Sequence, residues 1–149
     1  MHAENSIIMK APLEQIFAAA ANLSRWPTFL PHYRWVHYQE RSPERNIVTM
    51  AARRKGIPIR WTSEQVVDPA RHEVRFRHLK AFTRGMEVVW TFDQTPDGVL
   101  VRIRHHLTPS IPIVGRFIAD VIIGRFFIHA VATQTLRHMK RFVEEHHES

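Results

Sequence analysis

The stretch Met86-Glu87-Val88-Val89-Trp90-Thr91-Phe92-Asp93-Gln94-Thr95-Pro96-Asp97-Gly98-Val99-Leu100-Val101-Arg102-Ile103-Arg104-His105 decides the fold. Met86, Val88, Trp90 and Phe92 alternate with Glu87, Thr91 and Asp93, and Val99, Val101 and Ile103 alternate with Arg102 and Arg104. Successive side chains of an extended backbone point to opposite faces, so these are two strands, each dry on one face and wet on the other. Pro96-Asp97-Gly98 supplies the turn chemistry that makes them antiparallel neighbours. Val74 and Phe76, set among Arg75 and Arg77, repeat the alternation upstream.

Outward from this hairpin, the chain from His32 to Leu107 reads as short strands punctuated by Ser42-Pro43, Lys55-Gly56, Asp68-Pro69 and Arg84-Gly85, an antiparallel meander. Asn5 to Lys10 reads as one more short strand. Ala11-Pro12-Leu13-Glu14 then starts a helix, with Pro12 expected at the first helical position and Ile16, Phe17 and Ala20 on its apolar face. Near Asn22 the helix pattern gives way to Leu23-Ser24-Arg25-Trp26-Pro27, where Pro27 disfavours α geometry at Trp26 and predicts a break before a second short helical turn, and Pro31 marks another break. Beyond Pro109 and Pro112 the period changes. Val114, Phe117 or Ile118, Val121, Ile128, Val131, Thr135, Met139 and Phe142 recur at helical spacing. Such a helix runs for about 30 residues, or about 45 Å, enough to cross a whole sheet. Arg116, Asp120, Arg125 and His129 interrupt its apolar half, and charges at the centre of a span cost several kcal/mol, so no transmembrane span is expected. The class is α+β, a curved antiparallel sheet around a long C-terminal helix.

A chain of 149 residues with 44% hydrophobic and 23% charged residues has the balance of one globular domain, taken as residues 1–149. The absence of cysteine excludes disulfides, thiolate metal sites and cysteine nucleophiles. Met1 to Ser6 lacks a basic stretch followed by an apolar run, which makes the cytoplasm the expected location. The formal charge of +7 suits anionic partners, but Arg53-Arg54-Lys55, Arg75, Arg77, Arg102 and Arg104 are scattered, the pattern of a solvated sheet face. Nucleic acid is therefore not an expected partner, while peripheral contact with a membrane surface stays open.

The strand phase assigns Trp61, Ser63, Gln65, Phe76, His78, Val88, Trp90, Ile103 and His105 to the inner face. Four of them are polar, and a dry core charges about 1 to 3 kcal/mol for each buried polar group left unpaired, so Ser63, Gln65, His78 and His105 point to a cavity holding water or a ligand. The competing reading pairs them with one another or puts them at strand ends. No Gly-x-Ser-x-Gly elbow, Gly-rich phosphate loop or His-Glu-x-x-His occurs. The pairs His105-His106 and His146-His147 do not make a metal site, because strand neighbours face opposite ways and the second pair lies in the tail. Neither a metal nor a cofactor is expected.

Asn5-Ser6-Ile7-Ile8, Ala11-Pro12-Leu13-Glu14, Trp26-Pro27 with Tyr33 after it, and Trp61 followed by Ser63 resemble the bacterial polyketide cyclase/dehydratase and lipid-transport family, within the START-like (SRPBCC) superfamily. Ser110-Ile111-Pro112-Ile113-Val114-Gly115 is similar to the start of the long helix in bacterial START-like proteins. The resemblance implies the helix-grip (Bet v 1-like/START-like) fold and a cavity for a polyketide, isoprenoid, quinone or lipid-like molecule. It implies Trp26, Trp61, Ser63, Gln65, Phe76, Val88, Trp90 and Ile103 as ligand contacts. The family pattern includes aromatase/cyclases, which guide aldol closure and dehydration of a bent poly-β-ketone, as well as carriers, so fold alone leaves binding and catalysis both open. For the catalytic alternative, Tyr33 matches a family tyrosine, and His78 or His105 would act as acid or base. Gln65 stands where several cyclases carry a cavity arginine and offers no positive charge. An acyl carrier protein is the partner this alternative implies.

Overall fold

The computed structural model describes residues 2–80, 84–106 and 115–146, and for 115–127 the backbone only. Expectations about Leu107, Pro109, Ser110 to Val114 and His147, and about the side chains of Arg116, Phe117, Ile118, Asp120, Val121 and Arg125, lie outside the described residues. The elements run β1 (His2–Met9), α1 (Leu13–Ala21), a 3-10 turn (Leu23–Arg25), α2 (Trp26–Phe29), β2 (Tyr33–Arg41), β3 (Asn46–Arg54), β4 (Ile57–Asp68), β5 (Glu73–His78), β6 (Glu87–Thr95), β7 (Gly98–His106) and α3 (Gly115–Glu145).

All seven strands form one antiparallel sheet in the order β1-β7-β6-β5-β4-β3-β2. Strands β2 to β7 are the expected meander, and β1 returns to pair with β7, so α1 and α2 carry the chain from one edge of the sheet to the other. The sheet curves over α3, whose 31 residues lie along β1 and touch α1, α2 and β3. Two turns show why particular residues stand where they do. Lys55 and Gly56 both take left-handed angles (φ 50° and 79°), as a two-residue hairpin with the twist of its strands requires. At Gly98 (φ 138°) a Cβ would lie 2.9 Å from Ile8 Cγ2 and 2.9 Å from the Met9 carbonyl oxygen, so only glycine lets β1 pass this close.

Three local expectations are corrected. Strand β1 spans His2–Met9 instead of Asn5 to Lys10, because β7 offers partners as far as His106. Pro12 is the N-cap of α1, one position before the expected first turn, and its carbonyl accepts from the amides of Gln15 and Ile16. Trp26 is helical (φ −52°, ψ −44°) despite preceding a proline, while α1 gives way at Asn22 (φ −90°, ψ 84°), as expected. As the first residue of α2, Trp26 puts Pro27 where a missing amide costs nothing. Burial of the Trp26 ring, with Nε1 donating to the Ala19 carbonyl at 3.0 Å, holds this geometry.

The dense part of the core lies where α1 covers the sheet. Ile16, Phe17 and Ala20 are buried there in one cluster with Met9, Phe92, Val99, Val101, Met139 and Val143, and Phe17 sits against Phe92. At the other end of the same strands the filling thins.

Candidate ligand-binding site

At that end, sheet and α3 enclose a cavity of about 460 Å³, within the range for small-molecule sites. Its inner wall comes from alternate strand positions. Trp61 on β4, Phe76 and His78 on β5, Val88 and Trp90 on β6, and Ile103 and His105 on β7 face inward, as their phase requires. Trp26 and Tyr33 form the side nearest the short helices, and Ile128, Val131, Ala132 and Thr135 of α3 form the opposing wall. The rings make a continuous apolar lining: Trp26 lies 5.0 Å from Tyr33 and 5.7 Å from Trp90, and Tyr33 lies 5.8 Å from Trp61. Trp61 stacks on His78 at 6.4 Å with planes 9° apart.

The lining also includes Gln39, Thr49, Arg60, Thr62 and Lys80, which belong to the opposite phase or lie past the end of β5. Strand β5 pairs β4 only from Ser63↔His78 to Asp68↔Glu73, leaving Ile57 to Thr62 of β4 beyond the end of that ladder. The space therefore continues past the end of β5 onto the outer side. There, Gln39 Nε2 donates to Thr49 Oγ1 at 2.7 Å, and Thr49 and Thr62 share a hydrogen bond of 2.9 Å. Arg60 and Lys80, both exposed, mark the mouth.

Three polar groups inside are held neutral by burial. Desolvation pushes His78 down to about 4, and His105 to about 4 with His78 and His129 adding repulsion, so each imidazole is uncharged at neutral pH and able to accept a proton. His105 Nδ1 has no hydrogen-bond partner among the described residues. Burial pushes the Tyr33 phenol well above its usual range, against the opposing effect of a hydrogen bond with Thr135, so it stays a donor. Thr135 donates to the Val131 carbonyl at 2.7 Å, so its oxygen accepts from His32 Nε2 at 2.8 Å. His32, also lowered to about 4 by burial, thereby ties the start of β2 to α3.

The structure brings together Trp26, Tyr33, Trp61, Phe76, His78, Val88, Trp90, Ile103 and His105 on the cavity, and leaves Ser63 and Gln65 off its wall. Both are fully buried on the inner face. Gln65 is used by the fold, donating to the Ala21 carbonyl at 3.0 Å and accepting from Asn46 Nδ2 at 2.9 Å, which fastens the end of α1 to the sheet. Ser63 Oγ has no partner among the described residues. Sequence reasoning passed over Met50, Ile59 and Met86, and the α3 wall. The Val48-Met50-Ala52 alternation and the helical spacing of Ile128, Val131 and Thr135 were the signals for part of this set. Among the described residues no cluster of His, Asp and Glu is arranged to hold a metal ion. Among the described residues, too, no helix is long and apolar enough to cross a membrane.

Residues 9–143 match the family model described as polyketide cyclase / dehydrase and lipid transport. The chain belongs to that family. Within the family it is 32% identical over 104 residues to a candidate polyketide cyclase of Streptomyces halstedii, covering 68% of this chain and 95% of the relative. Among solved structures, the di-domain aromatase/cyclase StfQ of steffimycin biosynthesis superposes with a TM-score of 0.78 at 22% identity, over 97% of this chain and 51% of StfQ. The ZhuI aromatase/cyclase from Streptomyces sp. R1128 superposes with a TM-score of 0.72 at 16% identity, over 99% of each chain. These structural likenesses establish the helix-grip fold, a curved antiparallel sheet around a long C-terminal helix.

Proposed function

We propose that this family member binds a planar, carbonyl-bearing hydrophobic molecule of polyketide type, with its rings against Trp26, Trp61 and Trp90 and its oxygens toward Tyr33, His78 and His105. The observation that carries this reading is the composition of the wall: aromatic faces around a space of about 460 Å³, with a few neutral hydrogen-bonding groups among them. Apolar burial supplies affinity, at about 25 cal/mol per Å² of surface removed from water, and the neutral polar groups orient the ligand without burying a charge. The cytoplasm is the compartment proposed for this binding.

A second reading, aldol cyclisation and dehydration, would draw on the two neutral histidines of the wall, which burial makes weak bases. His105 or His78 would take a proton from a methylene between two carbonyls. The carbanion would attack a ketone carbon, and the imidazolium would return the proton to the new alkoxide before water is lost. The substrate would arrive on an acyl carrier protein. Binding ranks first because Gln65 is engaged with Ala21 and Asn46 and supplies no cation to a developing oxyanion.

The test is a titration with 1,8-dihydroxyanthraquinone, following tryptophan emission. Saturable quenching that is lost in Trp61→Ala and Trp90→Ala supports the binding site, and absence of saturable quenching rejects it. Reconstitution with a minimal polyketide synthase separates the two readings. A change in first-ring cyclisation erased by Tyr33→Phe, His78→Ala or His105→Ala, with turnover down by about 100-fold or more, would establish catalysis.

A further inference from the structure

The basic residues that look scattered in sequence are gathered by topology. Strand β2 starts, β3 ends, β4 starts, β5 ends and β6 starts at the same end of the sheet, the end at which the cavity opens. Arg34, Arg53, Arg54, Lys55, Arg60, Lys80 and Arg84 all stand there. Six of these seven are exposed, and Arg54 is half-buried. None is in an ion pair among the described residues; elsewhere Arg45, Arg71, Arg75, Arg77, Arg104 and Lys140 are paired, while Lys10, Arg41 and Arg102 are not. The segments passing through this end, residues 15–39, 45–63 and 74–86, contain no Asp or Glu. Glu87, at the start of β6, is the nearest acid by register and sits opposite Arg77. The other end carries Glu40, Glu44, Asp68, Glu73, Asp97, Glu144 and Glu145.

Among the described residues, the two large apolar side chains that are exposed stand at this same basic end. Ile57, at 61% exposure, is the first residue of β4 after the Lys55-Gly56 turn, and Trp35, at 41%, is near the start of β2. A hairpin tip bearing an aliphatic side chain among unpaired cations, with a tryptophan on the adjacent edge strand, has the chemistry of a surface that dips apolar groups into a bilayer interface while cations meet the headgroups. An acidic protein partner would also use the cations, but a lone aliphatic side chain at the tip of a projecting hairpin, ringed by cations, suits insertion between anionic headgroups better than contact with a broad protein face.

We propose that this end of the sheet docks on an anionic lipid bilayer, with the tip of the β3–β4 hairpin as the inserted element. Resting on the reading of the cavity as an apolar-ligand site, it means that the mouth beside Arg60 and Lys80 exchanges its ligand with the membrane, sparing the ligand a passage through water.

The experiment is flotation of the whole protein with phosphatidylcholine vesicles, with and without phosphatidylglycerol, at low and high salt. Binding at low salt is expected to be at least about tenfold greater with phosphatidylglycerol and to be released by salt, since each cation near an anionic surface contributes about fivefold. R53E/K55E should lower that binding at least tenfold, and Ile57→Ser should lower it without changing its salt dependence. None of these three residues lines the cavity, so anthraquinone quenching and the melting curve should match the parent protein. Equal binding to both vesicle types, no binding at low salt, or binding that R53E/K55E leaves intact would overturn the proposal. So would capture of a purified acyl carrier protein, sensitive to R53E/K55E, in place of anionic vesicles. Loss of quenching in the parent protein would instead count against the cavity reading and leave the vesicle result to be judged by itself.

Discussion

The two ends of the sheet are built from the same strands and the same inward phase, yet one is filled and the other is hollow. On β6 the inward series runs Val88, Trp90, Phe92, and on β7 it runs from His105 through Ile103 and Val101 to Val99. Phe92, Val99 and Val101 lie under α1 and form dry core, with Phe17 edge-on to Phe92 at 5.4 Å. Val88, Ile103 and His105 face the cavity. Strand phase determines only which face a residue is on. Whether that face is packed or open depends on what lies above it.

The harshest test removes the cover from both ends. Truncation before Val114 should abolish cooperative melting, because Val131, Ala132, Leu136, Met139 and Val143 are all buried. Each large apolar side chain contributes about 1.5 to 3 kcal/mol, against a net stability of about 5 to 15 kcal/mol. A cooperative melt in the truncated chain would make α3 an appendage and erase the comparison.

Acid should attack chiefly the hollow end. His32, His78 and His105 have folded pKa values of about 4, below the ordinary value of 6.5, so the unfolded chain binds more protons between those limits. Stability should be intact above about pH 6.5 and fall as pH drops toward about 4, by at most about 3 kcal/mol for each histidine. Urea midpoints across this range measure the slope, and His78→Gln with His105→Gln should flatten it. An unchanged slope would show that the cavity histidines are solvated.

A direct contrast sets one large side chain at each end against the other. Phe92→Ala should cost about 3 to 5 kcal/mol, as for an aromatic removed from a packed core. Trp61→Ala should cost less, because Trp61 is only partly buried and already borders open space, so its removal enlarges a cavity without creating one. Equal losses in chemical denaturation would mean that the hollow end is as tightly packed as the other.

The smallest effect belongs to the junction between the two. Gln65→Ala leaves the Ala21 carbonyl and the Asn46 amide without their buried partner, which should cost about 1 to 3 kcal/mol. Anthraquinone quenching should not change, since Gln65 does not line the cavity. A shift in ligand affinity without a stability change would put Gln65 in the binding machinery.

Much of this organisation was legible from residues alone. Alternation in residues 86–105 set the inward face of β6 and β7, the change of period after Pro112 set the long helix, and Lys55-Gly56 marked a hairpin turn. Each of these is a local rule, in which backbone geometry repeats over two or about four residues and side-chain type follows it. Trp26 escaped such rules because its helical geometry is held by a buried ring and a bond to Ala19, a gain that outweighs the local preference before a proline. Gln65 and His78 have the same phase and polarity in sequence, but α1 comes down over Gln65 and offers it a carbonyl, while His78 is left on the cavity wall.

By itself, then, the sequence determined the strands, their inward phase, the long helix and the presence of polar groups among apolar ones, because these follow from periodicities carried by neighbouring residues. Only the tertiary structure decided which inward residues became wall and which became core, and that Arg34, Arg53, Lys55, Arg60, Lys80 and Arg84 share one end of the sheet with Ile57. Those outcomes depend on contacts between residues far apart in the chain. They are set by where α1 and α3 lie across the sheet and by where each strand stops, and no local pattern encodes either.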